Sequence, residues 1–218
     1  MSLETRLDYS NIQLYRIGDT EIENLVFKAL KYNISTIVVG PSAMNIVYNT
    51  LRSGENLNVN VAVSYPSGAY TSEAKIQEIE GLLELGNKID GFYIPMQVGL
   101  YLSGYKEEAF CELKALVKAA KGIPVKIITE IGVMSDKQIK EVCEMAIAAG
   151  ADSLVTSAGF SPYDVPGPSE AQYKMLVQAA DGQIQIIANE DNLTKEQAEN
   201  ILKLGVDRIC TPKAVNFL

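Results

Sequence analysis

The sequence predicts an α/β fold, a (β/α)8 TIM barrel, built as one domain over residues 1–218. Short β-branched runs alternate with amphipathic stretches along the whole chain, the pattern of repeated βα units. Glycines that close helices recur just ahead of those runs. No run is followed by G-x-G-x-x-G or a Walker loop, which sets the closed barrel above a doubly wound open sheet.

The elements follow in order. A weak first strand is expected near Leu7–Leu14, and then an amphipathic helix over 20–31. In that helix Ile22, Leu25, Val26, Ala29 and Leu30 keep helical spacing. Seven clearer strands are Thr36–Val39, Val59–Val63, Ile89–Ile94, Val125–Thr129, Ser153–Thr156, Ile184–Ile187 and Arg208–Thr211. Ser135-x-x-Gln138, Ser169-x-x-Gln172 and Thr194-x-x-Gln197 are capping boxes, whose side chains satisfy the first free N–H groups of a helix. Leu85-Gly86-x-x-x-Asp90, Ala149-Gly150-Ala151-Asp152 and Leu204-Gly205-Val206-Asp207 form an internal repeat at helix ends. Glycine there supplies the left-handed conformation that stops a helix.

Composition narrows the chemistry. The 218 residues carry 19 Lys+Arg against 27 Asp+Glu, a net charge of −8, which argues against nucleic acid as a partner. Histidine is absent, so Ser-His-Asp and Cys-His catalysis, imidazole-bound zinc and a histidine general base are all excluded. The three cysteines show no CxxC spacing, and Cys111 and Cys143 fall on the apolar side of expected helices. A reducing, cytoplasmic setting fits them. The start of the chain lacks the apolar segment of a signal peptide. The uncharged run Tyr32–Leu51 contains Asn33, Asn45, Asn49 and Gly40-Pro41, so no membrane helix is expected.

In a barrel, chemistry belongs to the loops at the C-terminal ends of the strands. Three are rich: Ser64–Tyr70, then Pro95–Tyr105 with Gln97, Tyr101 and Ser103, and Gly159–Pro168, which has the aromatic and proline content of a lid or of a packed surface loop.

Leu7-Asp8-Tyr9-Ser10, Val39-Gly40-Pro41, Tyr65-Pro66-Ser67-Gly68, Thr71–Lys75, Ile89-Asp90, Val125–Glu130 and Ala149–Phe160 run in order through nearly the whole chain. Together these segments resemble the deoxyribose-phosphate aldolases. The resemblance implies class I aldol chemistry. A strand-six lysine forms a Schiff base, a strand-seven lysine lowers its pKa, and a strand-four aspartate moves protons. It also implies a homodimer. In this chain the two lysine positions carry Val155 and Ile187, and the family's phosphate-binding glycines give way to Asn189-Glu190-Asp191-Asn192. Two carboxylates there would repel a phosphorylated sugar, although Lys213 would offset part of their charge.

Two catalytic candidates remain. Asp90 stands at the family's aspartate position, or it is a strand-capping residue like Asp152 and Asp207. Lys126 shares a strand face with Ile128 and Glu130, and the resemblance places a lysine there too. It is either a structural ion pair with Glu130 or Asp90, or a relocated Schiff-base lysine. Glu130, Thr156, Ser157, Asn189 and Lys213 are the candidates for binding substrate. No cofactor is expected; a magnesium or manganese site from Asp90, Glu130, Glu190 and Asp191 is the weaker alternative. The expected function is a divergent aldolase-type lyase acting on a small aldehyde or hydroxy-carbonyl compound. The alternative is an inactive barrel that keeps a binding or regulatory pocket.

Overall fold

The computed structural model describes residues 2–14, 17–160 and 167–218. Eight parallel strands pair in chain order and close into a barrel, β8 returning to β1. They are β1 Leu7–Ser10, β2 Thr36–Val39, β3 Asn58–Ala62, β4 Gly91–Pro95, β5 Val125–Ile128, β6 Ser153–Val155, β7 Gln185–Asn189 and β8 Arg208–Thr211. Around them lie α1 Asp19–Lys31, α2 Met44–Thr50, α3 Ser72–Glu84, α4 Val98–Leu102, α5 Lys106–Ala119, α6 Asp136–Ala149, α7 Glu170–Ala180 and α8 Lys195–Lys203. The short α4 is an extra turn in the loop after β4. The place of a helix after β8 is taken by a 3-10 turn, Ala214–Phe217.

Local chemistry explains where the helices begin and end. Ser135, Ser169 and Thr194 each accept from the backbone three residues on, and all three capping boxes form. Gly150, with φ of 83°, ends α6 in the left-handed region that residues with a Cβ avoid. Ile22, Leu25, Val26 and Ala29 of α1 are buried against the sheet.

The apolar core has two parts. The larger lies between the strands and the helices. The smaller fills the barrel itself and includes Val38, Ala62, Tyr93, Ile128, Val155, Ile187 and Cys210. Alternation along each strand assigns residues to these parts: Ile127 faces the helices while Lys126 and Ile128 face inward. Cys143 is buried as expected, but Cys111 is exposed, because its position on α5 has turned out of the helix–sheet contact. Among the described residues no helix is long and apolar enough to cross a membrane.

Candidate functional site

The lower, N-terminal half of the barrel interior holds charge. Asp8 is fully buried and accepts from Arg208 Nη2 at 2.5 Å and from the Tyr93 hydroxyl at 2.5 Å. Lys126 Nζ lies 3.9 Å from the same carboxylate and 4.9 Å from the centre of the Tyr93 ring. Burial works to raise the Asp8 pKa. The Lys126 and Arg208 charges, with the hydrogen bonds from Arg208 and Tyr93, outweigh it and hold the carboxyl below its ordinary value. Lys126 is therefore an ion-pair partner of Asp8, and not of Glu130 or Asp90.

Asp90 is not beside a C-terminal loop. It precedes Gly91, the first residue of β4, and its Oδ2 accepts from Val59 N at 3.0 Å while its own N–H donates to Val59 O at 2.9 Å. Asp152 does the same with Val125, and Asp207 with Ile186. The repeated Gly…Asp segment is thus a strand clip at the N-terminal mouth. Asp90 and Lys126 both line that mouth, at the far end of the barrel from Glu130, Thr156, Ser157, Asn189 and Lys213.

One pleat above Lys126, Ile128, Val155 and Ile187 are neighbours in register and are all buried. This apolar layer separates Lys126 from the C-terminal mouth. Above it, three of the binding candidates come together. Asn189 Nδ2 donates to Ser157 O at 3.0 Å, Asn189 N donates to Thr156 Oγ1 at 3.2 Å, and Ser157 Oγ donates to Asn189 O at 2.7 Å. Gln13 Nε2 reaches Asn189 Oδ1 at 3.0 Å. These groups largely satisfy one another and form a rigid shelf.

Carboxyls gather beside the shelf. Glu130, held in a left-handed conformation at φ 57°, accepts from Ala158 N. Glu190 accepts from the Tyr173 hydroxyl at 2.9 Å. Burial pushes up the pKa of Glu130, with a further push from the Glu190 charge, and burial also raises Glu190. Asp191 is pushed up to about 6 by burial and by Glu190, against a downward pull from Lys213. Its Oδ1 is buried without a hydrogen-bond partner among the described residues. Gly159, with φ of 70°, leaves room for it: a Cβ there would stand 2.7 Å from Asp191 Oδ1. Lys213 Nζ donates to Asn192 Oδ1 at 3.1 Å. Among the described residues no three acidic or cysteine side chains come together as a metal site, and Asp90 is at the wrong end to join one.

Asn11, which the sequence reading missed, lies just after β1. Both its amide atoms are buried without partners among the described residues, and it lines a cleft of about 410 Å³ with Ser64, Tyr65, Tyr70 and Glu78. Its signal was only its place, one residue beyond a strand at the C-terminal face. Residues 161–166, most of the loop read as a lid, lie outside the described residues.

The comparisons fit this geometry. The deoxyribose-phosphate aldolase of Caldicellulosiruptor saccharolyticus is 30% identical over 201 residues, covering 89% of this chain and 87% of that protein. The chain belongs to the deoxyribose-phosphate aldolase family. Deoxyribose-phosphate aldolase 2 of Bacillus licheniformis is 27% identical and covers 100% of this chain and 95% of its own length. No family model matches the chain. Among solved structures, an aldolase named QR15 superposes with a TM-score of 0.87 at 22% identity, covering 99% of this chain and 93% of that one. The tetrameric deoxyribose phosphate aldolase of Aeropyrum pernix does so at 0.85 and 24% identity, covering 98% and 88%. Both show the fold. The family's proteins are lyases of carbon–carbon bonds, and this chain shares their barrel.

Proposed function

We propose that this family member is an aldolase-type lyase for a small, uncharged hydroxy-carbonyl compound, working at its C-terminal mouth without an amine nucleophile. The reading rests on Asp191, whose carboxyl keeps a buried oxygen without a partner among the described residues and a raised pKa beside Glu190. A carboxyl of that kind can donate a proton to a carbonyl oxygen, while a neighbouring carboxylate takes the proton of the hydroxyl two carbons away. The carbon–carbon bond between them then breaks, its electron pair forming the enol, and the hydroxyl carbon leaves as an aldehyde. The family's Schiff-base positions, as the resemblance aligns them, hold Val155 and Ile187, both buried and apolar. A binding-only role is the second reading, favoured by the shelf of Thr156, Ser157 and Asn189, whose polar groups already bond to each other.

Borohydride trapping with a panel of neutral aldehydes and ketones, beside a coupled assay for aldehyde release, tests this. The expected result is turnover of a neutral hydroxy-carbonyl compound with no reduced adduct, and loss of turnover in Asp191→Asn. A reduced adduct on Lys213 or Lys126 would overturn the amine-free mechanism. No turnover across the panel, with binding retained, would favour the second reading.

A further inference from the structure

The opposite, N-terminal mouth of the barrel opens into a second cavity of about 540 Å³. That size lies within the roughly 300–1,000 Å³ range of small-molecule sites. At its floor are Lys126 and Arg208 with Asp8 between them. Arg208 already pairs with Asp8, through Nη2 at 2.5 Å and Nε at 2.8 Å. Lys126 approaches that carboxylate at 3.9 Å and lies over the Tyr93 ring at 4.9 Å, and among the described residues it makes no closer polar contact. Lys126, Arg208 and Asp8 leave one positive charge at the floor, below a rim that carries Asp90, Asp152 and Asp207, and the Lys126 ammonium keeps donor capacity toward the cavity. Its side chain is 12% exposed.

The walls carry unused polarity. Asn60 and Ser153 are 2% and 1% exposed, line the cavity, and make no side-chain hydrogen bond among the described residues. Asn58 and Gln185 stand nearer the rim, also with side chains unbonded among the described residues. With no protein partner among the described residues, these amides and this hydroxyl can bond a ligand in the cavity they line. At the rim, Asp152 and Asp207 each commit one oxygen to a strand N–H, and Asp90 also pairs with Lys88 at 2.7 Å.

We propose that this mouth is a binding site for a small polyhydroxylated monocarboxylate, separate from the C-terminal site. The carboxylate lies on Lys126, and the hydroxyls lie among the amides of Asn60, Asn58 and Gln185. Amides both donate and accept, as hydroxyls do. The rim carboxylates accept from hydroxyls and repel any anion, a dianion about twice as strongly as a monocarboxylate, so only a ligand whose single charge reaches Lys126 fits and a phosphate ester is disfavoured. The apolar layer of Ile128, Val155 and Ile187 keeps the two sites from sharing a ligand.

Isothermal titration calorimetry of the full chain with gluconate, glucitol and inorganic phosphate tests the assignment. Gluconate is expected to bind. Glucitol, the same carbon chain without the carboxylate, should bind at least about tenfold more weakly, the scale of one lost charge-assisted hydrogen bond. Phosphate should give no saturable heat. Lys126→Met should erase the preference for gluconate, Lys126→Arg should retain it, and Asn60→Ala should weaken both polyols. Thermal melts confirm that each variant is folded. Asn11→Ala, at the other mouth, should leave gluconate binding unchanged. Absence of gluconate binding to the unsubstituted protein would overturn the proposal, as would binding that survives both Lys126→Met and Asn60→Ala or is lost in Asn11→Ala. Failure here leaves the lyase reading standing, because that reading depends on Asp191.

Discussion

Replacing Asp191 with asparagine is expected to stabilise the protein at neutral pH and to do nothing at acid pH. The carboxyl moves from 3.8 to about 6 on folding, so the folded state prefers it protonated. Between those values the folded chain binds more protons than the unfolded chain, and stability falls as pH rises through the window. A shift of about 2 units corresponds to about 3 kcal/mol at full effect. Asp191 keeps some contact with water, and screening reduces this to about 1–2 kcal/mol. Asparagine keeps the shape and removes the charge. The melting temperature of Asp191→Asn should therefore exceed that of the unsubstituted protein by roughly 2–8 °C at pH 7.5, for a chain of this size. At pH 4 the two should coincide. Urea melts at both pH values provide the free energies. An equal gain at both pH values would refute the electrostatic reasoning, because a pH-independent gain comes from packing; no gain at either would refute the strain at this carboxyl.

Two further outcomes follow from the interior. Asp8→Asn should cost about 3–5 kcal/mol in a urea melt, since it leaves Arg208 and Lys126 without their buried partner. The Asp8 carboxyl is held below its unfolded value, so its contribution is present above that value and is lost as pH falls through the folded one. Asp152→Ala should cost about 1–3 kcal/mol and speed hydrogen exchange at the amide of Val125, which loses its acceptor.

The barrel was legible in the sequence because β-branched runs, capping boxes and helix-ending glycines all act over a few residues. Thr36–Val39 and Arg208–Thr211 match β2 and β8 to the residue. The first strand was weak because Asp8 and Ser10 point inward, where an apolar residue would have marked it. Asp90 was misplaced for a related reason: it precedes the strand, so its carboxylate serves a backbone N–H at the lower mouth. The partner of Lys126 came from β1, on the far side of the ring, and no local spacing encodes such a pairing. The same holds for the carboxyls: Glu130 and Glu190 approach only because β5 and β7 flank β6.

The three aspartate clips also bear on where this ring can be cut. Asp90 joins β4 to β3, Asp152 joins β6 to β5, and Asp207 joins β8 to β7. Among the described residues the β4–β5 and β6–β7 borders lack this aspartate clip, the β6–β7 border being tied at its upper end by Thr156 and Ser157 to Asn189, and the closing border is bridged by Arg208 reaching Asp8. The clips thus fasten β3 to β4, β5 to β6 and β7 to β8 at the lower mouth. New chain ends opened at Gly104, in the turn between α4 and α5, would leave every fastened pair within one continuous piece. Ends opened at Gly86 would divide β3 from β4 and put a clip across the break.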